Sequence, residues 1–311
     1  MSTTESNPST AQPAVAVTST PPIAALNVAA DNAKKSLTGP WASLIAVVLA
    51  VLWTIPTFGL LVSSFRPERA IKTTGWWTFF SDPVVTLDNY RTIFDPSAEG
   101  VGAYLINTVV IVVPSVVIPV FLALLASYAL AWIEFPGRSL LFVTIFALQI
   151  VPIQVTLLPL LSLYIDVGLP PFTRIWLSHS IFALPLAIFL MHNFMREIPR
   201  ELIEAARVDG AGHVKIFLSV LLPLLKPAIA AFAIFQFLWV WNDLLVALTF
   251  AGGGSDVAPV TVWLLNLSGT RESAWHLLSA GAFVSIFVPL AVFLSMQRYF
   301  VRGLLAGGLK G

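Results

Sequence analysis

Two groups of residues in this chain have the types and spacing to do something chemical, and neither is a catalytic set. The first closes the apolar run "FQFLWVWND", Phe235 to Asp243. Asp243 is the one acid well inside an apolar segment, and polar groups there are costly enough to be functional candidates by default. Gln236, Trp239, Trp241 and Asn242 stand beside it. Aromatic faces stack on the apolar side of a pyranose and amides bond its hydroxyls, so this group could contact a sugar. It could equally tie one helix to its neighbours or cap a helix break. Gln149, Gln154, Ser178, His179 and Ser180 are weaker candidates for lining a polar path. Asn107 suits a bond across a helix interface.

The second group is "ELIEAARVDGAGHVKIFLSVLLP", Glu201 to Pro223, an amphipathic, charge-bearing insert between two apolar stretches. Pro199 fits the first helical turn, where its missing N–H would be unpaired anyway. Glu201 and Glu204 sit where the helix dipole favours acids. Leu202, Ala205 and Ala206 offer a small, flat face, and Asp209 and Gly210 follow, the glycine able to adopt a left-handed cap at little cost. Val214, Phe217, Leu218 and Leu221 then recur at helical spacing, which predicts a second short helix that Pro223 stops. An interfacial helix pair under the headgroups is one reading. Small residues flanked by acids fit better a surface that another protein approaches closely.

Catalysis and nucleotide binding have no counterpart motifs. There is no G-x-x-x-x-G-K-[ST], H-E-x-x-H or G-x-S-x-G, so neither a phosphate cradle, a zinc site nor a nucleophile elbow is expected. The glycine-rich "AGGGSD" at 251–256 lacks a following lysine and reads as an external loop. Cysteine is absent, and the four histidines, 179, 192, 213 and 276, form no i, i+4 pair. No metal, cofactor or nucleic-acid partner is expected for this chain. Whatever drives its work must come from elsewhere.

The elements that carry these groups are membrane helices. Of 311 residues 57% are hydrophobic and 11% charged, against about 25% charged in soluble domains. A span needs about 20 apolar residues to cross about 30 Å of hydrocarbon. Six segments qualify: 41–65, 103–132, 139–163, 175–194, 227–250 and 278–299. The expected fold is all-α and polytopic. With the N-terminus cytoplasmic, eleven of the 17 lysines and arginines lie inside and six outside. That places both termini and the insert in the cytoplasm. Residues 1–38, rich in Ala, Ser, Thr and Pro without periodicity, read as a disordered cytoplasmic tail. Residues 39–300 form the six-helix domain, with the insert loop at 195–226. Residues 301–311 form a C-terminal tail, poor in helix formers because of its glycines.

Glu204, Ala205, Ala206, Gly210, Val220, Leu222 and Pro223 reproduce in type and spacing the EAA loop of ATP-binding-cassette importer permeases, with Val220 where the family prefers isoleucine. "LDNY" (87–90), "YALAWIEFPGR" (128–138), "WND" (241–243) and "GLLAGGLKG" (303–311) resemble the maltose-type carbohydrate branch, in particular its six-helix MalG-like subunit. The resemblance implies a type I importer permease fold in a bacterial cell membrane. It implies that the insert is a coupling helix docking on a separate cytoplasmic ATPase dimer, where ATP and Mg are bound. A second related permease, an extracytoplasmic solute-binding protein, a sugar substrate and membrane lipid complete the expected partners. Because "WND" recurs in that family regardless of sugar, a structural or gating role for Asn242 and Asp243 is preferred to recognition. Gly307, Gly308 and Lys310 are expected to add a second ATPase contact. The alternatives are an importer of another solute, such as a glycerophosphodiester, and an ion-coupled secondary transporter using Asp243. Against the latter stands the lack of a detectable inverted repeat.

Overall fold

The computed structural model describes residues 39–96, 100–251, 256–269 and 274–308, with side chains through Gln297. The expected N-terminal tail, residues 252–255 of the glycine-rich loop, and Lys310 lie outside the described residues. Among the described residues the structure is helical and has no strand.

The chain divides into two units, Met1–Phe58 and Gly59–Gly311. Most of helix α1 (Pro40–Ser64) belongs to the first. The second unit is built around two long helices, α4 (Val101–Trp132) and α7 (Pro171–Arg196), with α10 (Leu222–Trp241) packed on both and α13 (Trp275–Gly308) packed on α10. Their buried cross-links are polar. Ser127 Oγ donates to Ile188 O at 3.0 Å, Gln236 Nε2 to Ser115 O at 3.1 Å, and Trp241 Nε1 to Ser285 O at 3.1 Å. Lipid is as apolar as leucine, so helices in a membrane gain little from burying apolar surface against each other and rely on packing and such bonds. Asn107, expected to bond across a helix interface, instead donates to Ala258 O at 3.1 Å, in the loop just before the next helix. Its neighbour Thr108 Oγ1 accepts from Val260 N at 2.9 Å, which starts helix α12 (Val260–Ser268) inside the expected outer loop.

Three expected spans differ from their sequence reading. The third is broken: α5 (Arg138–Ala147), extended by a 3-10 turn at Leu148–Ile150, meets α6 (Ile153–Asp166) at a 100° bend. Pro152 has no N–H to continue the ladder, and Val151 before it takes an extended conformation, ψ 119°. The fifth starts earlier and stops sooner. Helix α9 (His213–Ile216) runs through a π turn at Phe217–Leu221 directly into α10, so Pro223 does not stop it. A widened turn lets carbonyls pair five residues on, which accommodates the donor that Pro223 lacks. At Asn242 the helix breaks, and α11 (Leu245–Phe250) is a separate short helix. The sixth continues as helix to Gly308 instead of ending near Phe300. Gly303, Gly307 and Gly308 cost helix propensity but do not forbid it.

The segment after α1 is also more ordered than a loop. It carries α2 (Glu68–Thr73), a 3-10 turn at Trp76–Phe80, and α3 (Asp88–Ile93). Arg66 is 1% exposed and donates from Nη1 to Gly75 O and Thr78 Oγ1. Asn89 Nδ2 donates to Ser64 O and Arg66 O. A Cβ on Gly59 would come within 2.8 Å of Trp76 Nε1, so the glycine is what lets that indole seat.

Candidate functional site

The insert folds as a helix pair held from beneath. Helix α8 (Arg200–Val208) ends in a Schellman-type cap: Ala211 N donates to Ala206 O and Gly210 N to Arg207 O, both at 2.9 Å. Gly210 has φ +76°, as its position predicts, and a Cβ there would meet nothing within 4 Å. The left-handed backbone, not crowding within this chain, is what requires glycine. Ile203, Ile216 and Leu221 point inward and are at most 3% exposed, packed in one cluster with Met191, Met195 and Tyr128. Tyr128 OH lies 2.7 Å from His213 Nδ1, and its ring meets Phe217 edge-on.

The outer face is open. Glu204, Ala205, Asp209 and Gly210 are exposed, with Ala206 half-buried. Val208 and Val214 are 88% and 72% exposed. Val220 and Leu222 are half-buried and Pro223 exposed, at the root of α10. A rigid base under an exposed face of small, acidic and apolar residues is a docking surface in form. Each buried anchor contributes about 1.5–3 kcal/mol, an upper estimate, wherever the insert faces water.

The second feature is the break in the third span. A cleft of about 720 Å3 opens at Val151–Pro152, and Gln149, Gln154 and Thr156 line it with Phe182 and Pro185 of α7. Gln149 Nε2 reaches Phe182 O at 3.4 Å, a long bond that leaves most of its amide free. The two glutamines, weaker candidates by sequence than the tryptophan cluster, come together in one cavity. The signal was present in "IVPIQV", where a proline splits an apolar run between two amides.

The "WND" residues bond mainly to their own chain. Trp241 is 2% exposed, stacked on Phe237 and bonded to Ser285 O, so its indole presents no face to a solute. Asn242 is exposed but returns its amide to Leu238 O at 2.7 Å. Asp243 accepts from Ala247 N at 3.0 Å and Val246 N at 3.3 Å, which caps α11, and its own carbonyl accepts from Thr261 Oγ1 at 2.7 Å. His179 Nε2 stands 3.7 Å from Asp243 Oδ2, and Trp239 meets the His179 ring edge-on. Of the two readings open in the sequence, the geometry favours the helix-break cap. Ser178, His179 and Ser180 are at most 2% exposed, packed inside the bundle. The backbone is helical at Gly307 and Gly308.

A family model described as the binding-protein-dependent transport system inner membrane component matches residues 115–305. The chain belongs to that family. The match takes in the cleft, the Asp243 cap and the whole insert. An osmoprotective-compounds uptake permease protein, GgtD, from Synechocystis sp. is 51% identical over 269 residues, covering 85% of this chain and 90% of that one. An alpha-glucoside transport system permease protein, AglG, from Rhizobium meliloti is 49% identical over 257 residues, covering 81% and 67%. The fold is similar to that of a chain in a bacterial ABC transporter that imports alginate, with TM-score 0.72 and 21% identity over 86% of this chain and 98% of that one. A multi-pass membrane permease of the type I importer fold follows from these likenesses.

Proposed function

We propose that this chain is one of two related permease subunits of an ATP-driven importer for a sugar or sugar-like neutral solute. An external binding protein delivers the solute, and a separate ATPase dimer docks on the insert. ATPase closure moves the insert, and the buried Ile203, Ile216 and Leu221 pass that motion to α7 and α10. Both termini and the insert face the cytoplasm, as the lysine and arginine bias requires. Gly307, Gly308 and Lys310 supply a second ATPase contact. ATP and Mg belong to the partner, and this chain carries no catalytic group of its own.

One observation carries the reading: the insert is rigid below and open above, with left-handed Gly210 at its tip. The solute class draws support from a relative named for alpha-glucosides and from a cleft whose polar groups are neutral amides and a hydroxyl. That lining suits hydroxyls better than an anionic glycerophosphodiester. Asp243, held by two backbone amides, is poorly placed as a coupling-ion carboxylate. The test is reconstitution of the complex in proteoliposomes with its binding protein. Uptake of an α-glucoside that needs internal ATP, persists without an ion gradient and stimulates hydrolysis is expected. Uptake driven by a proton or sodium gradient without ATP would overturn it.

A further inference from the structure

A second cavity, of about 260 Å3, lies where α5 starts, α7 ends and α8 starts. Arg138, the first residue of α5, Arg196, the last of α7, and Arg200, the first of α8, all line it. The described residues give none of the three an ion pair. Arg138 spends one donor on Ile133 O at 3.3 Å. His192 also lines the cavity. It is 7% exposed, and its Nδ1 is buried without a hydrogen-bond partner. An adjoining cavity shares Arg138 and Arg200 and adds Arg207, Glu134 and Glu204, so four arginines face two glutamates over the pair.

Arginines at helix ends are ordinary in membrane proteins, where they reach for the headgroups. Three converging on one cavity, beside a buried imidazole whose Nδ1 has no partner, are a different arrangement. Guanidinium forks bind phosphate bidentately, and the imidazole supplies one more polar contact. The remaining walls are Leu130, Ala131, Ser139, Phe142 and Val143, and the cavity adjoins an apolar face of α5 where Leu140 is 72% and Val143 61% exposed. Cations at two span ends beside an apolar helix face match one ligand class, a headgroup phosphate with an acyl chain.

We propose that this cavity binds the phosphate of an anionic phospholipid of the cytoplasmic leaflet, with the acyl chain laid along α5. The choice of leaflet rests on the orientation stated above; the binding itself does not depend on what is transported. Through Arg200 the lipid is joined to the first residue of the insert helix, so the same phosphate links α5, α7 and α8.

Native mass spectrometry of the purified complex, supplied with phosphatidylglycerol or with phosphatidylcholine of the same chains, tests this. The wild-type complex should retain one phosphatidylglycerol more per copy of this chain than the Arg138→Gln/Arg196→Gln variant, and neither should retain phosphatidylcholine. Ser139→Phe fills the cavity and keeps every charge; it should lose the same lipid, and it answers the question if the double variant fails to assemble. Excess inorganic phosphate should leave the lipid in place. An equal lipid count in wild type and both variants overturns the proposal. So does displacement by inorganic phosphate, which marks a free-anion site. Loss of the ATPase from the double variant with an unchanged lipid count also overturns it, by assigning the arginines to an acidic patch of that partner. Because uptake is not the readout, failure here leaves the transport reading standing.

Discussion

The insert and the cleft are both departures from a regular membrane helix, and opposite forces shape them. The insert, Arg200 to Pro223, is fixed by apolar anchors: Ile203, Ile216 and Leu221 bury themselves because the insert faces water and burial there is favourable. The cleft at Val151–Pro152 arises inside an apolar run, where burial offers no such gain. There the chain bends 100° because a proline interrupts its ladder, and two glutamines stand at the break. Its neighbours are held by polar bonds, of which the Asp243 cap on α11 is the densest. Under the proposed function the insert, with its buried base and open face, is the lever, and the cleft, with its few neutral polar groups, is the passage.

The largest effect is expected at Gly210. Gly210→Val forces a β-branched residue into φ +76° and adds a side chain to the open tip. It should lower uptake at least about tenfold while the subunit still inserts, since left-handed strain costs about 1–2 kcal/mol before any partner clash. Gly210→Asn, which tolerates that backbone, should lose roughly twofold. Wild-type uptake by the valine variant, with ATPase still bound, would show that the insert is not a lever. Next comes the base. Ile216→Ala removes a fully buried anchor and should destabilise the insert locally by about 2–5 kcal/mol. Hydrogen exchange of residues 200–216 should then quicken while amides in α4 do not change, and ATP hydrolysis should lose its dependence on solute.

Asp243→Asn acts beside the cleft, at the cap of α11. It keeps one cap acceptor and loses the charge, worth about 0.3–1 kcal/mol at a helix N-terminus. Uptake should fall roughly threefold for every solute alike. A shift in preference between two sugars at unchanged maximal rate would return Asp243 to direct recognition. The smallest effect is expected at the cleft. Gln154→Ala should raise KM about twofold to fivefold at unchanged turnover, the mark of a ground-state contact worth about 0.5–1 kcal/mol. A fall in turnover with constant KM would make the glutamine part of the gate.

How much was legible depended on whether the signal was local. The six apolar segments, the polarity bias and the insert could be read directly, because length, charge and spacing are properties of contiguous sequence. So was Gly210: a cap position demands left-handed backbone, and only glycine takes it freely. Asn107 reads from the sequence as an interhelical donor, but its acceptor, Ala258 O, lies 151 residues away in a loop. The same limit applies to Tyr128 and His213: nothing in either stretch announces that the hydroxyl of one meets the imidazole of the other.

The prolines show where local rules are insufficient. Pro152 breaks a helix by 100°, whereas Pro223 sits inside a helix that passes it through a π turn. Both residues lack the same N–H. What differs is the surroundings: Leu221 and Leu225 are buried in a core that keeps the turns on either side of Pro223 aligned, while Ile150 is 81% exposed at the bend. The tryptophans divide in the same way. Sequence determined that Trp239 and Trp241 would stand beside Asn242 and Asp243. Tertiary packing decided that Trp241 faces α13 and Trp239 faces His179, because a helix fixes only the angle between neighbouring side chains, and the helices around it fix which direction is inside.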